Sequence, residues 1–107
     1  MTSFTKNNLV KIQKLLLKIP EGKVTTYAIL ADKLKVPRGG RYVGNLLHIN
    51  PLPERYPCYK VVKSNGESGG YARGAKEKIK RLRQDGISIR SGRIENFPIF
   101  LETFEVL

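Results

Sequence analysis

The chain is poor in the residues that build covalent or metal-centred scaffolds. Of 107 residues, one is Cys (Cys58) and one is His (His48). A lone Cys excludes an intramolecular disulfide framework and fits a reducing, intracellular setting, cytoplasm or nucleoid, or a nucleus. One thiol and one imidazole fall short of a zinc site of the usual Cys/His kind, so no metal is expected. No apolar run approaches the ~20 residues of a membrane helix. The polar start Met1-Thr2-Ser3-Phe4-Thr5-Lys6 lacks a signal-peptide pattern. Acid is scarce too: nine Asp and Glu face twenty Lys and Arg, a formal net charge of +11. Such an excess speaks of partners, and an anionic polymer, nucleic acid before lipid, is the expected one. All twenty bases lie within residues 1–93, whereas residues 94–107 hold three acids and no base. Residues 1–93 therefore read as a single binding domain. The acidic, apolar tail 94–107 either packs on it through Phe97, Phe100 and Phe104 or leads to a further domain.

What is present is a series of short helices. Leu9, Ile12, Leu15 and Leu16 recur at helical spacing over residues 4–18. Pro20-Glu21-Gly22 stops that helix. The Thr25-Thr26 pair caps a second one running to about Leu34, with Tyr27, Ile29, Leu30 and Leu34 as its apolar positions. After the turn at Val36–Gly40, a third spans 40–48 with Val43, Leu46 and Leu47 inward. Two short helices about a Gly-containing turn on a basic chain suggest a helix-turn-helix. Asn50-Pro51-Leu52-Pro53 is a loop, Val61-Val62 a short strand, Ser64-Asn65-Gly66 a hairpin turn and Gly69-Gly70 a close-approach loop. A last helix covers 73–86 with Ala75, Ile79 and Leu82 inward and Lys76, Lys80 and Arg83 on another face. Ile87–Arg90 alternates like a strand.

Cys58 is the strong nucleophile candidate. Pro57 fixes the backbone before it, and Lys60, two residues on, is a cation that favours thiolate. A lone Cys also reads as a small buried hydrophobe. Tyr27 reads as a half-buried core residue or a functional phenol, Arg41 as a solvated charge or a DNA contact, and His48 as a solvated residue near the third helix's end.

Taken together, Ile19–Tyr27, Arg41-Tyr42-Val43-Gly44-Asn45, Asn50–Pro53, Pro57-Cys58-Tyr59-Lys60-Val61-Val62 and Gly69-Gly70-Tyr71 keep their order and spacing. In these runs, residues 19–86 resemble the C-terminal domain of the O6-alkylguanine-DNA alkyltransferases and the alkyltransferase-like proteins. The resemblance implies a mostly α fold with a small β component, a winged helix-turn-helix. It implies binding in the minor groove of duplex DNA containing O6-alkylguanine, flipping of the base, and irreversible transfer of the alkyl group to Cys58. The protein would act as a monomer, without cofactor, and be consumed. Arg41 matches the finger that fills the gap left by the base, in a recognition helix with Gly44 and Asn45. Tyr27 matches the tyrosine that crowds the adjacent phosphate and can hydrogen-bond guanine. Val61 matches a position whose carbonyl holds the guanine amine, and Tyr71 and Ala72 match the loop over the base. Asn50 matches the residue tying the helix-turn-helix to the active-site turn. Where the family has His-Arg after the cysteine, this chain has Tyr59-Lys60. Asp85 matches the acidic partner of that histidine, so Tyr59 and Asp85 stand in the relay, and Lys60 reads as a DNA contact and a cation for the thiolate. The alternative is an alkyltransferase-like module that binds the lesion without transfer and recruits other repair factors. A fused repair domain is a further expected partner, and an architectural minor-groove binder is the third reading.

Overall fold

The computed structural model describes residues 2–49, 55–71 and 73–105. Thr2 starts the first helix: its side-chain oxygen accepts from the Thr5 N–H at 3.1 Å, satisfying a donor that has no intrahelical partner. The helix, α1 (Ser3–Leu17), buries Asn8, Ile12 and Leu16, a stripe at four-residue spacing. Thr25–Thr26 form a two-residue strand, β1. The Thr26 hydroxyl oxygen accepts from the Ile29 N–H at 3.0 Å and so caps α2 (Tyr27–Lys33). The turn after α2 is tight, and a Cβ on Gly39 would sit 2.7 Å from Val36 Cγ1, so only glycine fits there. Next comes α3 (Gly40–His48), which buries Val43, Leu46 and Leu47. The first core gathers Ile12 and Leu16 of α1, Leu30 and Ala31 of α2, and these three α3 residues, with Leu34, Cys58 and Val61.

A 3-10 turn, Cys58–Lys60, leads into β2 (Val61–Val62). The turn expected at 64–66 forms, with the Gly66 N–H donating to the Lys63 carbonyl at 2.9 Å. It does not close a hairpin on β2. That strand pairs in parallel with β1, Thr25 opposite Val61 and Thr26 opposite Val62, while Glu67 bridges to Arg93. The backbone groups of Val61–Val62 thus find partners in a distant segment.

The last long helix is α4 (Ala75–Gln84), which buries Lys78 and Leu82. Ala75, expected inward, is exposed, because the helix turns the side of Lys78 toward three acceptors inside the domain. A hairpin follows, β3 (Ile89–Arg90) against β4 (Arg93–Ile94), then the single turn α5 (Phe97–Phe100). Val24, Val62, Leu82, Ile87, Ile89 and Ile94 form a second core, with Tyr59, Ile79, Phe97 and Phe100 at its margin.

The division drawn at residue 93 falls inside β4 and does not follow the fold. Ile94 is core, and the segment after α5 lies along β1. The Val24 N–H donates to the Phe100 carbonyl and the Glu102 N–H to the Val24 carbonyl, both at 2.7 Å. Phe104 packs on the first core. The free edge of β1 needs hydrogen-bond partners, and this segment supplies them.

Candidate active site and DNA interface

Four elements converge on one cavity of about 710 Å³. The face of α3 opposite its core stripe supplies Arg41, Gly44, Asn45 and His48, spaced by three, one and three residues, which is one helical face. The start of α2 supplies Tyr27, the 3-10 turn supplies Cys58, and the loop before α4 supplies Gly70 and Tyr71. Six residues expected at the site (Tyr27, Arg41, Gly44, Asn45, Cys58, Tyr71) thereby share one wall. Arg41 and Asn45 are exposed, Tyr27 and Tyr71 half-buried, and Cys58 is only 7% exposed. Gly69 lets the loop press on Tyr27: its φ is +75°, and a Cβ there would lie 3.2 Å from the Tyr27 ring and hydroxyl.

Behind this wall lies a residue absent from the sequence expectations. Lys78 is fully buried. Its Nζ donates to the Val61 carbonyl at 2.5 Å, the Gly70 carbonyl at 3.0 Å and the Tyr27 hydroxyl at 3.4 Å. It lies 5.6 Å from the Tyr27 ring centre. Among the described residues no carboxylate pairs with it. Burial lowers its pKa to about 8, against the opposing pull of negative charge at Cys58. Burial and the same Cys58 charge raise the Tyr27 phenol above its ordinary value. Negative charge at Cys58 thus acts on both the phenol and the amine. The one hint of Lys78 in the sequence is its place four residues before Leu82, on the apolar stripe.

Tyr59 and Asp85, expected to stand in the relay, do meet. The Tyr59 hydroxyl donates to Asp85 Oδ2 at 2.7 Å. Burial first, then that bond and the Asp85 charge, push the phenol well above its ordinary pKa. It keeps its proton and is no base at neutral pH. Tyr59 packs at the second core, whereas its neighbour Cys58 belongs to the first. Lys60, expected as a DNA contact, is instead buried, with 7% of its surface exposed. Its Nζ donates to the Pro20 carbonyl at 3.2 Å and lies 3.6 Å from Asp85 Oδ2. A buried ammonium needs such partners, and the interior provides them. Lys78 is a cation on which the Cys58 charge acts.

Val61 has its side chain in the first core, and its carbonyl is engaged by Lys78. Asn50 and Ala72 lie outside the described residues. Lys63 and Ser64, not expected at the site, also line the cavity.

A helix-turn-helix whose outer face shares a cavity with a buried thiol defines a DNA-binding domain of the alkyltransferase fold. Residues 9–87 match the family described as "6-O-methylguanine DNA methyltransferase, DNA binding domain". The chain belongs to that family. It is 50% identical over 84 residues to a bifunctional methyltransferase/endonuclease of Picrophilus torridus, covering 78% of this chain and 28% of that protein. To a methylated-DNA–protein-cysteine methyltransferase of Pyrobaculum aerophilum it is 46% identical over 71 residues, 66% of this chain and 47% of the other. The chain thus spans between about a quarter and a half of these relatives. Its fold is similar to that of S. pombe Atl1, solved with damaged DNA containing O6-carboxymethylguanine: TM-score 0.77, 26% identity, 91% of this chain and 95% of the other. Mycobacterium tuberculosis OGT, solved with DNA, gives TM-score 0.69 at 30% identity, covering 79% of this chain and 50% of the other.

Proposed function

We infer that the protein binds O6-alkylguanine in duplex DNA through α3, receives the flipped base in the cavity, and takes the alkyl group onto Cys58. The observation that carries this is the placement of Cys58 on the wall of a cavity roomy enough for a base, shared with Arg41, with its charge acting on buried Lys78. The Cys58 sulfur attacks the alkyl carbon, a sulfur–carbon bond forms, and the carbon–O6 bond breaks. The electron pair leaves with guanine, which takes up a proton. Lys78 stabilises the attacking thiolate. Tyr27, whose phenol stays protonated and donates to the Gly70 carbonyl at 3.3 Å, turns that donor to the departing base. Arg41, exposed at the first turn of α3, fills the gap left in the stack, which offsets an unstacking cost of a few kcal/mol. Intact mass before and after exposure to a methylated duplex tests this. A gain of one methyl group, absent in Cys58→Ala, is expected.

One observation favours a second reading, lesion binding without transfer. Tyr59 is locked on Asp85 and supplies no proton acceptor for the thiol. Under that reading, methylated duplex is bound in preference to plain duplex, no mass is gained, and Cys58→Ala binds as well as the wild type.

A further inference from the structure

The β3–β4 hairpin carries an electrostatic arrangement that the fold does not need. Ile89 and Ile94 face the second core, so Arg90 and Arg93 face outward. The register sets Arg90 directly opposite Arg93. Like charges in such cross-strand pairs destabilise a sheet. The turn holds them there: Ser91 and Gly92 have φ of +53° and +76°, a two-residue hairpin of the tight kind. The hairpin is also fastened. The Ser68 N–H donates to the Gly92 carbonyl at 3.0 Å, the Ile94 N–H to the Gly66 carbonyl at 2.9 Å, and Arg83 Nη2 to the Ile89 carbonyl at 3.0 Å. Glu67 relieves part of the repulsion, accepting from Arg93 Nη2 at 3.1 Å with Lys63 at 3.9 Å. Arg90 has no hydrogen-bond or ion-pair partner among the described residues.

These cations border a shallow cleft formed by Lys63, Glu67, Ser68, Gly69 and residues 90–93. Lys63 lines both this cleft and the cavity of Cys58, so the two surfaces are continuous. We propose that the β3–β4 hairpin is a second DNA-contacting element, with Arg90 and Arg93 gripping a backbone phosphate beside the strand that feeds the cavity. The inference rests on the reading of the protein as a duplex-DNA binder. A phosphate between the guanidiniums would turn an unfavourable pair into a binding site.

The test is the affinity for plain and methylated duplexes across a salt series. Arg90→Gln is expected to weaken both duplexes alike and to lower the slope of log K against log salt by about 0.9, the value for one phosphate contact on B-DNA. Arg90→Lys is expected to keep the slope. Thermal stability of Arg90→Gln is expected to match or exceed that of the wild type, since a repulsion is removed. Slopes equal for wild type and Arg90→Gln overturn the proposal, as does a slope loss accompanied by a fall in melting temperature. A wild type without lesion preference defeats the repair reading, while the plain-duplex slopes still decide the hairpin. A wild type that binds neither duplex overturns both.

Discussion

The domain buries two lysines, and they are held in different ways. Lys60 has a carboxylate: Asp85 lies 3.6 Å from its Nζ, and the Tyr59 hydroxyl shares the same oxygen. This group closes the 3-10 turn onto the end of α4 and onto the Pro20 loop, and its charges cancel locally. Lys78 meets two carbonyls and a phenol, and among the described residues no carboxylate answers its charge. A paired buried cation is a fastening, while an unpaired one is a source of field. Cys58 stands in the field of the second. At the position after the cysteine, Tyr59 is tied to Asp85, while the buried cation whose charge interacts with Cys58 is held on α4.

The comparison can be broken at either end. Asp85→Ala leaves Lys60 buried without its carboxylate and is expected to destabilise the fold by about 3 kcal/mol. Denaturant unfolding measures this, and a loss below 1 kcal/mol would show that Lys60 needs no fastening.

The second prediction uses pH. The folded pKa of Lys78, about 8, lies below the ordinary 10.5. Below pH 8 both folded and unfolded chains hold the proton, and the burial penalty is present in full. Between 8 and 10.5 the folded chain releases it first, the unfolded chain binds more protons, and stability rises with pH. Relative to Lys78→Met, the wild type is expected to gain up to roughly 3 kcal/mol over that window. Unfolding free energies of both proteins at pH 7 and pH 10 check it, and a pH-independent difference would contradict a depressed Lys78.

The third sharpens the chemical side. Lys78→Gln keeps a donor but removes the charge, and is expected to slow alkyl transfer in single turnover about a hundredfold. Affinity for the methylated duplex should change little, because Lys78 is buried behind the cavity wall. Equal transfer rates would remove Lys78 from the mechanism.

The smallest effect is expected for Tyr59→Phe. It deletes one hydrogen bond to Asp85 and should cost about 1 kcal/mol of stability. Its transfer rate should stay within a few-fold of the wild type. A large rate loss would return Tyr59 to the reaction.

Much of the DNA-facing half was legible in the chain order. The helix over 40–48 appears with the same bounds, since Val43, Leu46 and Leu47 mark its inner face and leave Arg41, Gly44, Asn45 and His48 outside. Thr26 caps α2 because a hydroxyl before an apolar run has few other local uses. The chemical half was less legible. A lysine in a basic helix looks solvated, and Lys78 resembles Lys76 and Lys80 beside it. Its partners lie 51, 17 and 8 residues away in sequence. No local pattern predicts such a meeting. Lys60 was misplaced for the same reason: its neighbours in sequence say nothing of Pro20 or Asp85. The acidic end, set apart by composition, proved to be an edge segment beside β1, because hydrogen-bonding groups on a strand edge do not register in charge counts.

By itself the sequence determined the family, the helix-turn-helix, the excess of positive charge and the single thiol that could carry the chemistry. Those features are local, written in spacing, capping and composition. The tertiary structure alone decided which lysine is buried on carbonyls and a phenol, which is bound to a carboxylate, and that two arginines stand opposed on the hairpin. Each depends on the desolvation and geometry of groups brought together from distant parts of the chain, and charge acquires its meaning only where water has been excluded.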